Sequence, residues 1–163
     1  MQTVPIETVE AVWQELGQLT QEQAGEMAQR MQDEQPAILI YLLTAEEVED
    51  EVDAEQGWLL ETGAVICEVL RRVADGDLPE VTVEDLDAAE QANIRFLEEL
   101  EEGSEMDYED AVKGMMDGYN QMPLLGSILE RFMSGLEPGE LEPPVDFGMA
   151  LLRVKTVIDC LDR

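Results

Sequence analysis

Apolar residues recur every three or four positions along most of the chain, the period of a helix with one buried face. Val9, Val12, Trp13 and Leu16 mark the first such helix, which stops at Gly17, its expected C-terminal glycine. Thr20-Gln21-Glu22-Gln23 carries a capping-box pattern, in which the threonine hydroxyl and the glutamine amide satisfy each other's free backbone donors. A second helix therefore opens there, with Ala24, Met27, Ala28 and Met31 as its expected buried stripe. Pro36 cannot continue that helix but suits the first turn of another. Ala37 to about Thr44 is accordingly predicted as a short helix buried on most sides.

Asp53-Ala54-Glu55-Gln56 has the form of a further capping box, opening a helix that should run to about Asp75. Its inward face is Leu59, Ile66, Leu70 and Val73. Arg71 and Arg72 complement the dipole at its C-terminal end, where Gly76 is expected to terminate it. Leu78-Pro79 breaks the chain, and Thr82 to Asp85 starts a helix with Leu86, Ala89, Asn93, Leu97 and Leu100 inward, ending in an acidic turn around Gly103. Ala111 to Asn120, interrupted by Gly114 and Gly118, has weak helix propensity. Pro123 resets the register for Leu124 to Ser134, whose apolar face is Leu125, Ile128, Leu129 and Phe132. Leu136 to Pro144, with three prolines and a glycine, reads as a loop. The last helix, from about Val145 to Leu161, repeats Phe147, Leu151, Val154, Ile158 and Leu161 on one side with Leu152 near the other. So few polar residues interrupt it that it should be central.

No stretch shows period-two alternation bounded by hairpin turns, and Val81-Thr82-Val83 is too short to count as one. The prediction is an all-α fold, a compact array of about eight short-to-medium helices. A length of 163 residues suits a single helical domain spanning 1–163. Trp13-x-x-Leu16-Gly17-x-x-Thr20 resembles the opening of a tetratricopeptide repeat, in which an aromatic, a leucine and a glycine let two helices pack closely. Gln29 and Asp33 stand where the later small and aromatic positions belong, and no second copy follows about 34 residues on, so no repeat is predicted.

Composition narrows the chemistry. There is no histidine, which removes Ser-His-Asp and Cys-His nucleophile pairs, histidine-ligated zinc and the Glu-x-x-His di-iron site of helical bundles. Cys67 and Cys160 each lie in an apolar helical stretch without metal-knuckle or redox spacing, and are expected to be buried free thiols. The first residues lack the basic-then-apolar form of a signal peptide, and no apolar run nears the roughly 18 residues of a membrane span. A cytoplasmic protein with no membrane partner and no cofactor is the expectation.

Acidic residues number 39 against 9 basic ones, for a formal charge of −30. Direct nucleic-acid binding is disfavoured, since it rests on neutralising phosphates with lysine and arginine. The acids are also uneven: residues 45–57 contribute −7 and residues 76–110 contribute −13, whereas 145–163 is neutral. An even acidic coat would suit adaptation to salt, as would two lysines against 26 glutamates; a concentrated one suits docking on a basic protein. Five methionines between Met106 and Met133 suggest an adaptable groove beside it, or irregular core packing.

The expected function is therefore a protein-binding or adaptor module for a basic protein partner. Its candidate face is Glu46, Glu47, Glu49, Asp50, Glu84, Asp87, Glu98, Glu101 and Glu102, with Met115, Met116 and Met122 alongside. Two alternatives stand beside it. Glu7-x-x-Glu10 followed by Glu47-x-x-Asp50 matches the order of carboxylates by which helical nucleotide pyrophosphohydrolases hold Mg²⁺, although 26 glutamates produce such pairs readily. The acidic surface could also mimic the charge of a nucleic acid. The apolar final helix allows burial in a homodimer as well as in a monomer core.

Overall fold

A computed structural model describes residues 1–43, 53–102, 110, 113–114, 116 to 134 and 147–163. Among the described residues the protein is all-α, with seven helices and no strand. These are α1 (Ile6–Gly17), α2 (Gln21–Glu34), α3 (Pro36–Leu43), α4 (Asp53–Ala74), α5 (Val83–Glu102), α6 (Met122–Ser134) and α7 (Phe147–Leu161). The expected Leu136–Pro144 loop, and residues 111, 112 and 115 of the weak segment, lie outside the described residues.

Local chemistry accounts for the helix starts. Thr20 and Gln23 form the predicted capping box, Gln23 N–H donating to the Thr20 hydroxyl at 3.2 Å and Thr20 N–H to the Gln23 side chain at 3.0 Å. Thr82 and Asp85 do the same for α5, at 3.0 and 3.2 Å. Pro36 takes the first position of α3, where its missing N–H leaves no bond unmade.

The ends differ from expectation. Gly17 closes α1 without a left-handed backbone, and Gly76 does not terminate α4. That role falls one residue earlier to Asp75, at φ 53°, a conformation aspartate tolerates because its short polar side chain bonds locally. Gly118, at φ 74°, does supply the left-handed turn that leads into α6.

Helices α4 and α7 are central. α7 packs between α4 and α5 and also meets α6, while α3 and α1 cover other sides of α4. Leu151, Leu152, Val154, Val157, Ile158 and Leu161 are all buried, so both apolar sides of the final helix are used within this chain. Leu59, Ile66 and Leu70 of α4, Leu86 of α5, and Leu124, Leu125 and Ile128 of α6 complete the core. The expected stripe on α2 is the clearest departure: Met31 is buried and Met27 half-buried, but Ala24 and Ala28 are exposed. Helix α3 is also less covered than predicted, with Ile38 and Leu42 buried but Ile40 58% exposed.

Buried polar groups fix the connections. Gln35, between α2 and α3, donates to Pro79 O at 2.8 Å and accepts from Val81 N–H at 3.1 Å, holding the α4–α5 linker in place. Gln121 accepts from Val4 N–H at 3.1 Å and donates to Asp162 at 2.8 Å, which joins the residues before α1 to those after α7. Each is a fully enclosed amide with both ends satisfied, the condition under which such a group does not destabilise the fold.

Candidate functional site

The predicted face is only partly described. Glu84, Asp87 and Glu98 stand exposed on the outward side of α5, joined by Glu99. Helical spacing puts them on one side because Leu86, Asn93 and Leu97 turn the opposite side inward. Glu101 and Glu102 belong to the last turn of α5, but their side chains, like the whole of Glu46, Glu47, Glu49, Asp50 and Met115, lie outside the described residues. Arg95 also projects from this outward side, donating to Gln91 O of its own helix at 3.3 Å.

Two of the candidate methionines are described. Met116 packs half-buried against the core, and Met122 is exposed at the start of α6 beside Gly126. Met27 and Met31 of α2 line open space. One cleft, of about 510 Å³, lies between Ala24, Met27 and Ala28 of α2 and a floor of Leu16, Leu39, Leu60 and Ala64. A second, of about 330 Å³, opens between α2 and Cys67, Glu68 and Arg71 of α4. The sequence signal was present: small residues at 24, 25 and 28 leave a helix with too little bulk to fill the space beneath it.

Basic side chains are largely consumed inside the fold. Arg71 bridges Glu68 at 2.7 Å and Glu34 of α2, and Arg72 bridges Glu68 at 3.0 Å and Glu15 of α1. The Arg72 hydrogen bond holds the Glu15 carboxyl below its ordinary pKa, and that of Arg30, with Arg71 adding to it, does the same for Glu34. Arg131 stacks on Trp13 at 4.2 Å, and Arg153 stacks on Tyr41 at 4.8 Å while donating to Tyr41 O at 2.9 Å. Arg163 pairs with Asp85 at 2.7 Å.

Among the described residues the most enclosed charged side chain is Lys155 on α7. Its Nζ donates to Asn93 Oδ1 and to Asp159 Oδ2, both at 2.7 Å, and lies 4.7 Å from the Tyr119 ring centre. Asn93 Nδ2 donates to Thr156 Oγ1 at 3.2 Å and Asp159 Oδ2 at 3.0 Å; Tyr119 OH donates to Asp159 Oδ1 at 2.6 Å. Burial, with Asp159 beside it, pushes the Tyr119 phenol well above its usual range. Each member is satisfied by another, and none lines either cleft, so the cluster fastens α5 to α7.

Both cysteines are buried and free, and burial pushes the Cys67 thiol to about 12 and Cys160 to about 11. Neither supplies a thiolate near neutral pH. Glu7 and Glu10, one half of the Mg²⁺ reading, are exposed on α1, and Glu47 and Asp50, the other half, lie outside the described residues. Among the described residues no three Asp, Glu or Cys side chains converge as a metal site, and no helix is long and apolar enough to cross a membrane.

Asp85 gives the site region a measurable pH signature. Thr82 N–H, Arg163 and the Thr82 hydroxyl all donate to its carboxylate, lowering its pKa from 3.8 to about 2. A carboxyl depressed in the folded state contributes stability that is fully present above 3.8 and is lost as pH falls through about 2. Asp85→Asn is therefore expected to lower the melting temperature at pH 7, with the deficit shrinking toward zero near pH 2. A deficit of equal size at both pH values would refute the assignment.

No known protein family, curated protein or solved structure matches this chain.

Proposed function

We propose that this protein is a binding module that captures a basic protein partner through the outward face of α5. The observation supporting this reading is the division of charge: most cations are spent on contacts within the fold, Arg95 on this same face excepted, and Glu84, Asp87, Glu98 and Glu99 are left exposed with no ion pair among the described residues. At a chain charge of −30 such a surface attracts a basic partner over several ångströms, raising the association rate more than the affinity. The remaining candidate acids, Glu46, Glu47, Glu49, Asp50, Glu101 and Glu102, belong to the same proposal.

The test is capture of proteins from native extract by the immobilised chain at low and high salt, beside a variant carrying Glu84→Lys, Asp87→Lys and Glu98→Lys. A basic protein retained at about 50 mM salt should be released near 0.5 M, because screening reaches within a few ångströms there. The triple variant should retain at least roughly tenfold less, with unchanged helicity. Equal retention by both proteins would sink the proposal. Displacement of the retained protein by DNA would favour nucleic-acid mimicry over a dedicated protein interface.

A further inference from the structure

Helix α2 sits unusually high on its neighbours. Met31 is its only buried residue, although Ala24, Met27, Ala28 and Met31 recur at the spacing of a core-facing stripe. The apolar residues opposite, Leu16, Leu39, Leu60 and Ala64, are all only half-buried. Two apolar surfaces thus face each other across about 510 Å³ of open space. Apolar walls that face water across an open cleft forgo the stabilisation of burial, which an apolar occupant would restore. The ends of α2 are nonetheless secured, by the Thr20 capping box at one and by Met31, Arg71–Glu34 and Gln35 at the other.

Size and charge select the occupant. A helix about 10 Å across fills roughly 400 Å³ per turn, so the cleft takes little more than one turn and cannot seat a partner helix. It does fall in the range of about 300–1,000 Å³ typical of small-molecule sites. Its polar rim is Gln29, Gln32 and Glu61, with no basic residue lining it, and Glu61 is exposed with no partner among the described residues. In a chain of charge −30 that rim repels an anionic head group and attracts a cationic one.

We infer that the cleft under α2 is a binding site for a small organic cation with an apolar body, the body lying between Met27 and Leu60 and the charge at Glu61. This site is independent of the acidic face of α5. The neutral dye N-phenyl-1-naphthylamine reports its occupancy by fluorescence, with an expected Kd on the order of 100 μM for a ligand of that size. Hexyltrimethylammonium should displace the dye at concentrations at least roughly tenfold below those needed for hexanesulfonate, an anion of equal chain length. Glu61→Gln should narrow that ratio, and Glu7→Gln should not. Ala24→Leu and Ala28→Leu, both at exposed positions, should fill the cleft and weaken dye binding about tenfold while leaving the fold intact. Failure of the native protein to bind the dye would mean that α2 closes onto its floor, and would overturn the inference. So would equal dye binding by the filled variants, equal displacement by the two ions, or a ratio indifferent to Glu61→Gln.

Discussion

Asp159→Leu is expected to destabilise the protein by about 3–5 kcal/mol, measured by urea unfolding at neutral pH. The reason is what it leaves behind. Lys155 has only 11% of its side chain exposed, and Asp159 is its counter-ion at 2.7 Å. Without the carboxylate the ammonium keeps Asn93 Oδ1 and the Tyr119 ring but has no compensating charge, and Tyr119 OH loses its acceptor. A loss of that size takes a large part of the 5–15 kcal/mol typical of a domain. Lys155→Met added to Asp159→Leu removes the orphaned charge and replaces the pair by apolar volume, so the double variant should be more stable than Asp159→Leu alone. The coupling should be about 1–3 kcal/mol, within the range for contacting residues. Additive losses, or a cost below about 1 kcal/mol for Asp159→Leu, would show that this pair within α7 does not support the Asn93 contacts that fasten α5 to α7.

The helical architecture was legible because it rests on local signals. The stripes Val9-Val12-Trp13 and Leu151-Val154-Ile158-Leu161 bury as their period requires, and the Thr20 box closes as its residue types dictate. Asn93 was readable as inward-facing for the same reason. Its partners were not, because Lys155 lies 62 residues away and a lysine in an apolar helix looks like an interruption rather than a core residue. Arg71 and Arg72 read as complements to a helix dipole, yet they bridge α4 to Glu34 of α2 and Glu15 of α1, a relation no periodicity carries.

The exposed acids of α5 followed from angular position alone, whereas the cleft under α2 did not. Periodicity says which side of a helix is apolar, but not whether a neighbour comes close enough to cover it. Ala24 and Ala28 satisfy the pattern of burial and remain exposed. Of the candidate methionines, Met116 is half-buried and Met122 exposed, on either side of the Gly118 turn at φ 74°. Asp75 in place of Gly76 shows the limit at single residues, since both can take the left-handed position and the sequence does not choose between them.

Gly63→Val tests the packing that sets the height of α2. Gly63 is buried in the middle of α4, where glycine costs about 0.5–1 kcal/mol relative to alanine, so a packing reason must offset that loss. The reason is α3. A Cβ at this position would lie 2.5 Å from Leu42 Cδ1 and 3.0 Å from Met31 Cε, and Leu42 is itself fully buried. Alanine can be met by a small movement of the leucine tip. Valine cannot, because its second branch extends the clash while the helix holds it near one rotamer. Overpacking together with valine's lower helix propensity than alanine's should cost about 2–4 kcal/mol in urea unfolding. Leu42→Ala alone should cost a similar 2–5 kcal/mol by leaving a cavity. Combined, each lesion relieves the other, the valine entering the space the leucine vacates, and the double variant should be at least about 1 kcal/mol more stable than the sum of the two losses. Strict additivity would mean that α3 shifts away from α4 rather than pressing on Gly63. Met31 gives a second readout: as the one buried residue of α2, its displacement by valine should release that helix first, seen as faster proteolysis within 21–30 while the core of α4 and α7 stays protected from hydrogen exchange.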